Sequence, residues 1–189
     1  MKRIVNRKKL VGKSYSLRPF TLDNITDEYI GWLNDPIVNK FLEVRIVNQT
    51  METVTEYINS FYPDDFDKDN EQYLWGIYSV DNRLVGTINL TKINRYHSST
   101  ELHLMIGNKD FWGKSASEEA IKLVHDFAFS TLELTRVTGS CYSTNMGMIF
   151  TFKRLGYKRE GVMRKSHFDG EKRIDVWRWA ILLDEWKNG

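Results

Sequence analysis

The stretch from Glu101 to Ser130, ELHLMIGNKD-FWGKSASEEA-IKLVHDFAFS, constrains what this chain can fold into more than any other. Glu101 to Ile106 alternates and then turns apolar, as a strand entering a core does. Gly107 to Lys114 is a turn with glycine near both ends. Ser115-Ala116-Ser117-Glu118-Glu119-Ala120 then opens a helix, small hydroxylated residues first and acids in the first turn. Behind it Ala120, Leu123, Val124, Phe127 and Ala128 recur at helical spacing and make one apolar face. A strand feeding a small-residue loop that opens a helix presents unpaired backbone N–H groups at the positive end of a helix dipole. That arrangement suits a phosphate or pyrophosphate, although many helices begin this way and bind nothing.

The remainder fits a single domain spanning residues 1–189. Neither a repeat nor a composition break divides the 189 residues, and three prolines argue against long linkers. With 41% apolar residues the chain can fill a core. A net charge of +2 is too balanced to point to nucleic acid, so the basic residues of segment 1–12 are expected to be a solvated tail. The lone Cys141 rules out an internal disulfide and fits a reducing compartment. No apolar run reaches membrane-spanning length, and no signal-peptide core follows Met1. A cytoplasmic protein without membrane contact is expected.

In order, the pattern predicts a strand at Ser14–Phe20 and a helix from Thr21 through Leu33, stopped at Asn34-Asp35-Pro36. A short helical piece is expected at Ile37–Phe41 and an amphipathic helix at Gln49–Phe61, with an acidic loop over Tyr62–Glu71. Tyr73–Val80 and Leu84–Thr91 read as a hairpin around Asp81-Asn82-Arg83. Past the central stretch come a strand at Arg136–Tyr142, a helix at Asn145–Leu155 closed by Gly156, and a strand beginning at Tyr157. Met163–Phe168 and Arg173–Leu183 flank the turn Asp169-Gly170. This is an α/β (α+β) layout: a largely antiparallel sheet with one βαβ crossover at the opening stretch.

Three places in this layout resemble the GNAT acetyltransferases, in the branch typified by ribosomal-protein N-terminal acetyltransferases. Phe111-Trp112-Gly113-Lys114-Ser115-Ala116-Ser117-Glu118-Glu119-Ala120 resembles the family's acetyl-CoA pyrophosphate loop, written W-G-K-G-Y-A-T-E-A in this branch. Asn145 through Leu155-Gly156-Tyr157 resembles a second signature, an Asn opening a helix that ends in L-G-F. Leu17-Arg18-Pro19 and Trp32-Leu33-Asn34-Asp35-Pro36 resemble the branch's opening. The resemblance covers roughly Ser14 to Trp186. It implies a GNAT fold, with a twisted, mostly antiparallel sheet of six to seven strands and helices on both faces. It also implies acetyl transfer from acetyl-CoA to a primary amine by direct attack on the thioester.

The same resemblance assigns residues. Met105, Ile106, Gly107, Trp112, Gly113, Lys114, Ser115, Ala116, Ser117 and Glu118 correspond to the cofactor strand and loop, with Asn145 and Phe152 on the second helix. Glu101 sits where several members place a glutamate and is the preferred general base. His103, two residues on, faces the same side. Against this stands a structural reading, with Glu101 paired to a lysine and His103 semi-buried. The family's usual tyrosine acid is Phe152 here, and the glutamate of some N-terminal acetyltransferases is Ser140, so either the thiolate leaves without a protein acid or Tyr142 or Ser143 substitutes. Cys141 reads as inert filling. Ser115 and Ser117 stand where the family has glycine, or glycine or alanine, and a Cβ restricts φ and crowds a phosphate. These departures also allow a non-catalytic acyl-CoA-binding or scaffold protein.

Trp32, Tyr96, His97 and Phe168 are candidates to line the acceptor site, with Glu43, Arg45 or Asp175 setting its charge preference. The acceptor is a small-molecule or peptide amine: a nucleotide amino sugar, a protein N-terminus or another small amine. Arg45, Arg95, Tyr96 and His97 lean toward the first. No metal is expected, and edge strands in the C-terminal hairpin make a homodimer conceivable.

Overall fold

Eight strands form one mixed sheet, in a computed structural model that describes residues 9–62 and 72–187. The basic cluster of residues 1–8 and most of the expected acidic loop (63–71) lie outside the described residues. The strands are β1 (Leu10–Val11), β2 (Tyr15–Pro19), β3 (Tyr73–Ser79), β4 (Leu84–Asn94), β5 (Ser99–Ile106), β6 (Arg136–Tyr142), β7 (Lys158–Phe168) and β8 (Arg173–Leu182). Their order across the sheet is β1-β2-β3-β4-β5-β6-β8-β7. Every neighbouring pair is antiparallel except β5–β6, where α3 (Ala116–Asp126) makes the crossover.

The sheet's two faces bury two separate cores. Alternation sends Tyr73, Trp75 and Ile77 to one face, against Ala120, Ile121 and Val124 of α3 and Ile149 and Phe152 of α4 (Met146–Arg154). Leu74 and Met105 point to the other face, against Tyr29, Trp32 and Leu33 of α1 (Asp27–Asn34) and Val54 and Ile58 of α2 (Met51–Ser60). Burying each large apolar side chain contributes about 1.5–3 kcal/mol, so both helix layers are held by their amphipathic stripes.

The expected elements form, with local differences. The supposed tail contributes β1, paired with Leu17 and Ser16, which is the strand beyond the six or seven expected. The helix expected from Thr21 is two pieces, because two threonines cap separately. A 3-10 turn covers Leu22–Asn24, and Thr26 accepts from Tyr29 N–H to start α1. Ile37–Phe41 is a run of turns, and the helical piece is a 3-10 turn at Glu43–Ile46. Past Asp126 the central helix widens into a π turn, Phe127–Thr131, where Leu132 N–H reaches Phe127 C=O at 3.0 Å. A short last helix, α5 (Leu183–Lys187), was not signalled.

The feature that makes a site is the brevity of the parallel pairing. β5 and β6 are in register only at Ser99–Arg136, Thr100–Val137 and Glu101–Thr138. Beyond Glu101 the strands part, and a cleft opens on the α1/α2 face.

Candidate functional site

Glu101 lies at the point of parting, 7% exposed, with Lys92 Nζ 2.6 Å from its Oε2. Lys92 reaches it because β4 bulges after Thr91, the last residue in register with Glu101 before Asn94 pairs with Ser99. Lys92 takes φ +50° at that bulge. His103, opposite Asn89, follows on the same face of β5. Together with Met105, Ser140, Tyr142 and Arg178 they line a cleft of about 680 Å³. Its far walls come from Tyr57 of α2 and Phe61 at its C-cap, Phe41 and Glu43 of the α1–α2 connection, and Met163 and His167 of β7.

The ionisable groups are tuned by these neighbours. Burial pushes the Glu101 carboxyl up, but the Lys92 hydrogen bond and the nearby charges of His103, Lys92 and Arg178 outweigh it, leaving the pKa below its ordinary value. His103 is open to the cleft yet surrounded by enough protein for desolvation to lower its pKa. Glu101 pulls the other way, and Lys92 and Arg178 add to the lowering. At neutral pH the pair is a carboxylate beside a neutral imidazole. Tyr142 donates its hydroxyl to Glu43 Oε1 and accepts from Arg45 at 3.2 Å. Burial, then the Glu43 hydrogen bond and charge, push it up to about 12, which makes it a poor proton donor. Burial raises Cys141 to about 11 and keeps it a thiol, as expected of filling.

The loop before α3 is shaped for an anion. The first intrahelical bond runs from Glu119 N–H to Ser115 C=O at 3.0 Å, so the amides of Ala116, Ser117 and Glu118 have no intrahelical acceptor. Ser115 takes the left-handed conformation (φ +59°) with no side-chain cap, and Gly113 (φ +74°) has nothing within 4 Å of a built Cβ. Both first-turn carboxylates have partners of their own. Glu118 pairs with Lys122 at 3.1 Å and Arg154 at 3.3 Å, and Glu119 Oε1 accepts from Ser14 and Tyr15 N–H at 2.7 and 3.0 Å. The dipole and open amides are thus free to meet a pyrophosphate, and the residues present fit one. Trp112 Nε1 donates to Ile106 C=O at 2.9 Å, and Lys114 C=O accepts from Tyr15 at 3.1 Å, which ties the loop to β5 and β2. Asn145 caps α4 through Met148 N–H at 3.1 Å. Phe152 is 1% exposed at the cleft's end, against Gly139, where a Cβ would sit 2.7 Å from its ring.

Three expected acceptor-site residues are placed elsewhere. Trp32 is a core residue packed on Gly107, behind the cleft wall. Tyr96, 90% exposed, and His97, ring against ring at 4.9 Å, occupy the β4–β5 turn outside the cleft lining. An aromatic residue in a sequence gives no sign of which side of a wall it takes. Phe168 is also absent from the lining, 56% exposed, and its C=O accepts from Arg45 at 2.7 Å. Sequence reasoning missed Lys92, Asn89, His167 and Arg178. The register Asn89–His103 was available from the strand pattern, but the Lys92 bulge was not.

A parted β5–β6 pair, an anion-ready helix start on the crossover and a carboxylate–imidazole pair at the split define an acyl-CoA-dependent transferase. The acetyltransferase (GNAT) domain family matches residues 15–158, and the chain belongs to it. The chain is 30% identical over 161 residues to the Probable N-acetyltransferase YjcK of Bacillus subtilis (strain 168), covering 83% of this chain and 87% of that one. The spermidine N(1)-acetyltransferase of Vibrio cholerae is 24% identical over 120 residues, 64% of this chain and 69% of that one. The crystal structure of the Vibrio cholerae spermidine N-acetyltransferase with CoA and spermine shares the fold at TM-score 0.79 and 20% identity, over 94% of this chain and 100% of that one. The protein is an acetyl-CoA-dependent N-acetyltransferase. No helix among the described residues is long and apolar enough to cross a membrane.

Proposed function

We propose that this chain acetylates a small primary amine held in the cleft between α2 and the β7–β8 hairpin, with His103 as proton acceptor and Glu101 behind it. The carrying observation is the Glu101–His103 pair on one face of β5, at the point where β5 leaves β6. Acetyl-CoA, when bound, supplies the acetyl thioester. The amine nitrogen forms the new bond to the acetyl carbon as the carbon–sulfur bond breaks, and the proton shed by the nitrogen passes to His103. Glu101, held ionised by Lys92, steadies the resulting imidazolium. No acid step is assigned to Cys141 or Tyr142: burial raises both pKa values, and the Tyr142 hydroxyl is engaged by Glu43. A protein N-terminus as acceptor rests on the sequence resemblance alone, since the reported relatives are named for spermidine or for no stated acceptor.

The test is steady-state thiol release with an amine panel. His103→Gln and Glu101→Gln are each expected to lower kcat by about ten-fold or more. Neither is expected to change the rise in unfolding midpoint that acetyl-CoA produces, about 2.7 kcal/mol of stabilisation at 100 times its Kd. The wild-type acid limb of kcat/KM should lie below pH 6.5 and vanish in His103→Gln. Full turnover in both variants from pH 6 to 9 would remove the pair from the mechanism.

A further inference from the structure

One row of residues crosses four neighbouring strands on the cleft face. Asn89 of β4 is opposite His103 of β5. Two residues on from the last parallel pair, Glu101–Thr138, His103 comes level with Ser140 of β6, which is in register with Arg178 of β8. All four line the cleft. The row's two ends carry unmet and opposite demands. Asn89 is 7% exposed; its Nδ2 donates to Tyr57 at 3.0 Å, and its Oδ1 has no hydrogen-bond partner. Arg178 is exposed to the cleft and, among the described residues, makes no hydrogen bond and no ion pair within 4.0 Å.

The other charges around the cleft have hydrogen-bonding partners. Lys92 is on Glu101 at 2.6 Å. Arg45 is held by Tyr142, Phe168 C=O and Lys40 C=O, and Glu43 takes the Tyr142 hydroxyl with His167 Nε2 at 3.9 Å. Two carboxylates, Glu43 and Glu101, thus face three cations, Lys92, Arg45 and Arg178, and the surplus positive charge is the unpaired guanidinium. An unpaired arginine beside a cleft favours a carboxylate or phosphate, which its planar fork meets with two parallel hydrogen bonds. A buried unpaired carbonyl favours an N–H.

We infer that the acceptor is a primary amine carrying an anionic group, its amine at Asn89 and His103 and its carboxylate or phosphate on Arg178. This rests on the proposed reading of His103. His103 and Arg178 stand on strands separated by β6, so amine and anion lie more than two paired-strand spacings of about 4.8 Å apart at the backbone, because β5 and β6 have parted there. A polyamine brings only positive charge to a cleft that already holds the free guanidinium, with Glu43, bound to the Tyr142 hydroxyl, as the carboxylate it would meet.

The experiment compares an α-amino acid, its methyl ester, an amino-sugar phosphate, its unphosphorylated sugar and spermidine as acceptors for wild type, Arg178→Gln and Arg178→Lys. Wild type is expected to favour each anionic member over its neutral counterpart by about ten-fold or more in kcat/KM. Arg178→Gln should abolish that preference chiefly through a raised KM for the anionic members, with acetyl-CoA stabilisation kept, and Arg178→Lys should restore part of it. The two pairs distinguish carboxylate from phosphate. Spermidine as the preferred acceptor, or an anion preference that survives Arg178→Gln, would overturn the inference. So would anionic amines that, in the presence of CoA, shift the unfolding midpoint of wild type no more than that of Arg178→Gln. His103→Gln on the same panel separates the two claims. If it retains wild-type kcat, the proposed chemistry fails; if it loses kcat on neutral and anionic amines alike while wild type prefers neither, only the anion anchor fails.

Discussion

Gly107 closes β5 with its Cα pressed on a buried indole: a Cβ built there would lie 2.1 Å from Trp32 Cε3. Trp32 is 8% exposed and packs in the α1/α2 core, so Gly107→Ala has to push a ring that has nowhere to go. The expected cost is about 1–3 kcal/mol, read as a lower urea midpoint with a changed tryptophan emission. An unchanged midpoint would mean that α1 yields freely. The glycine was legible as the end of a strand, but its partner was not, because nothing local to Trp32 distinguishes a wall from a pocket. Ser115 is a similar case. The sequence shows serine where the family has glycine, and the structure shows that it adopts the glycine-like left-handed conformation, so the backbone cradle is retained at some conformational cost. Glu101 and His103 were legible as a pair because strand periodicity alone puts them on one face. The reversal of their weights comes from Lys92, whose side chain arrives through a bulge.

At the scale of elements, the crossover helix is tied to the N-terminal strands by one carboxylate. Glu119 Oε1 receives Ser14 and Tyr15 N–H, and Tyr15 donates to Lys114 C=O, so β2 holds the first turn of α3 and the loop before it. Glu119→Ala removes the acceptor for two backbone donors at once. The expected loss is about 1–2 kcal/mol, seen as a lower urea midpoint at unchanged m, together with a higher KM for acetyl-CoA as the loop loosens. A fall in stability with the acetyl-CoA KM unmoved would show that the strap only braces the fold. This tie was invisible in the sequence, where Glu119 reads as an acid near a helix start and segment 1–12 as a tail. Elements with strong periodicity and clear punctuation, such as β6 and α4, formed within a residue of their expected bounds. Where capping competes, as at Thr21 and Thr26, or where ladders bulge, as in β7 between Met163 and His167, pattern alone ran too straight.

For the molecule as a whole, pH acts through a histidine far from the cleft. His125, on the buried side of α3, is 0% exposed. Its Nε2 lies 2.7 Å from the Tyr157 hydroxyl, and its ring is enclosed by Phe129, Tyr157 and Trp186. The polar groups around it are that hydroxyl and Asp126, which accepts from Trp186 Nε1 at 3.2 Å, and Nδ1 has no partner in the described structure. Burial lowers its pKa to about 3, far below the 6.5 of an exposed histidine. The unfolded chain therefore binds a proton that the native chain refuses between these two values. Stability is complete above pH 6.5 and is lost as pH falls from there toward 3, by about 2 kcal/mol at pH 5 relative to pH 7.5. The paired carboxylates Glu101, Glu160 and Glu185 also have lowered pKa values, but their stability is lost only as pH drops below the ordinary carboxylate range, near 4.5. Urea midpoints between pH 7.5 and 5 should therefore report chiefly the histidine. His125→Phe is expected to be less stable at pH 7.5, because the Tyr157 hydroxyl loses its hydrogen-bond partner, and to show a much flatter pH dependence across that window. A wild-type slope carried unchanged into His125→Phe would place the proton uptake elsewhere, with His103, the other histidine of lowered pKa, as the next to replace.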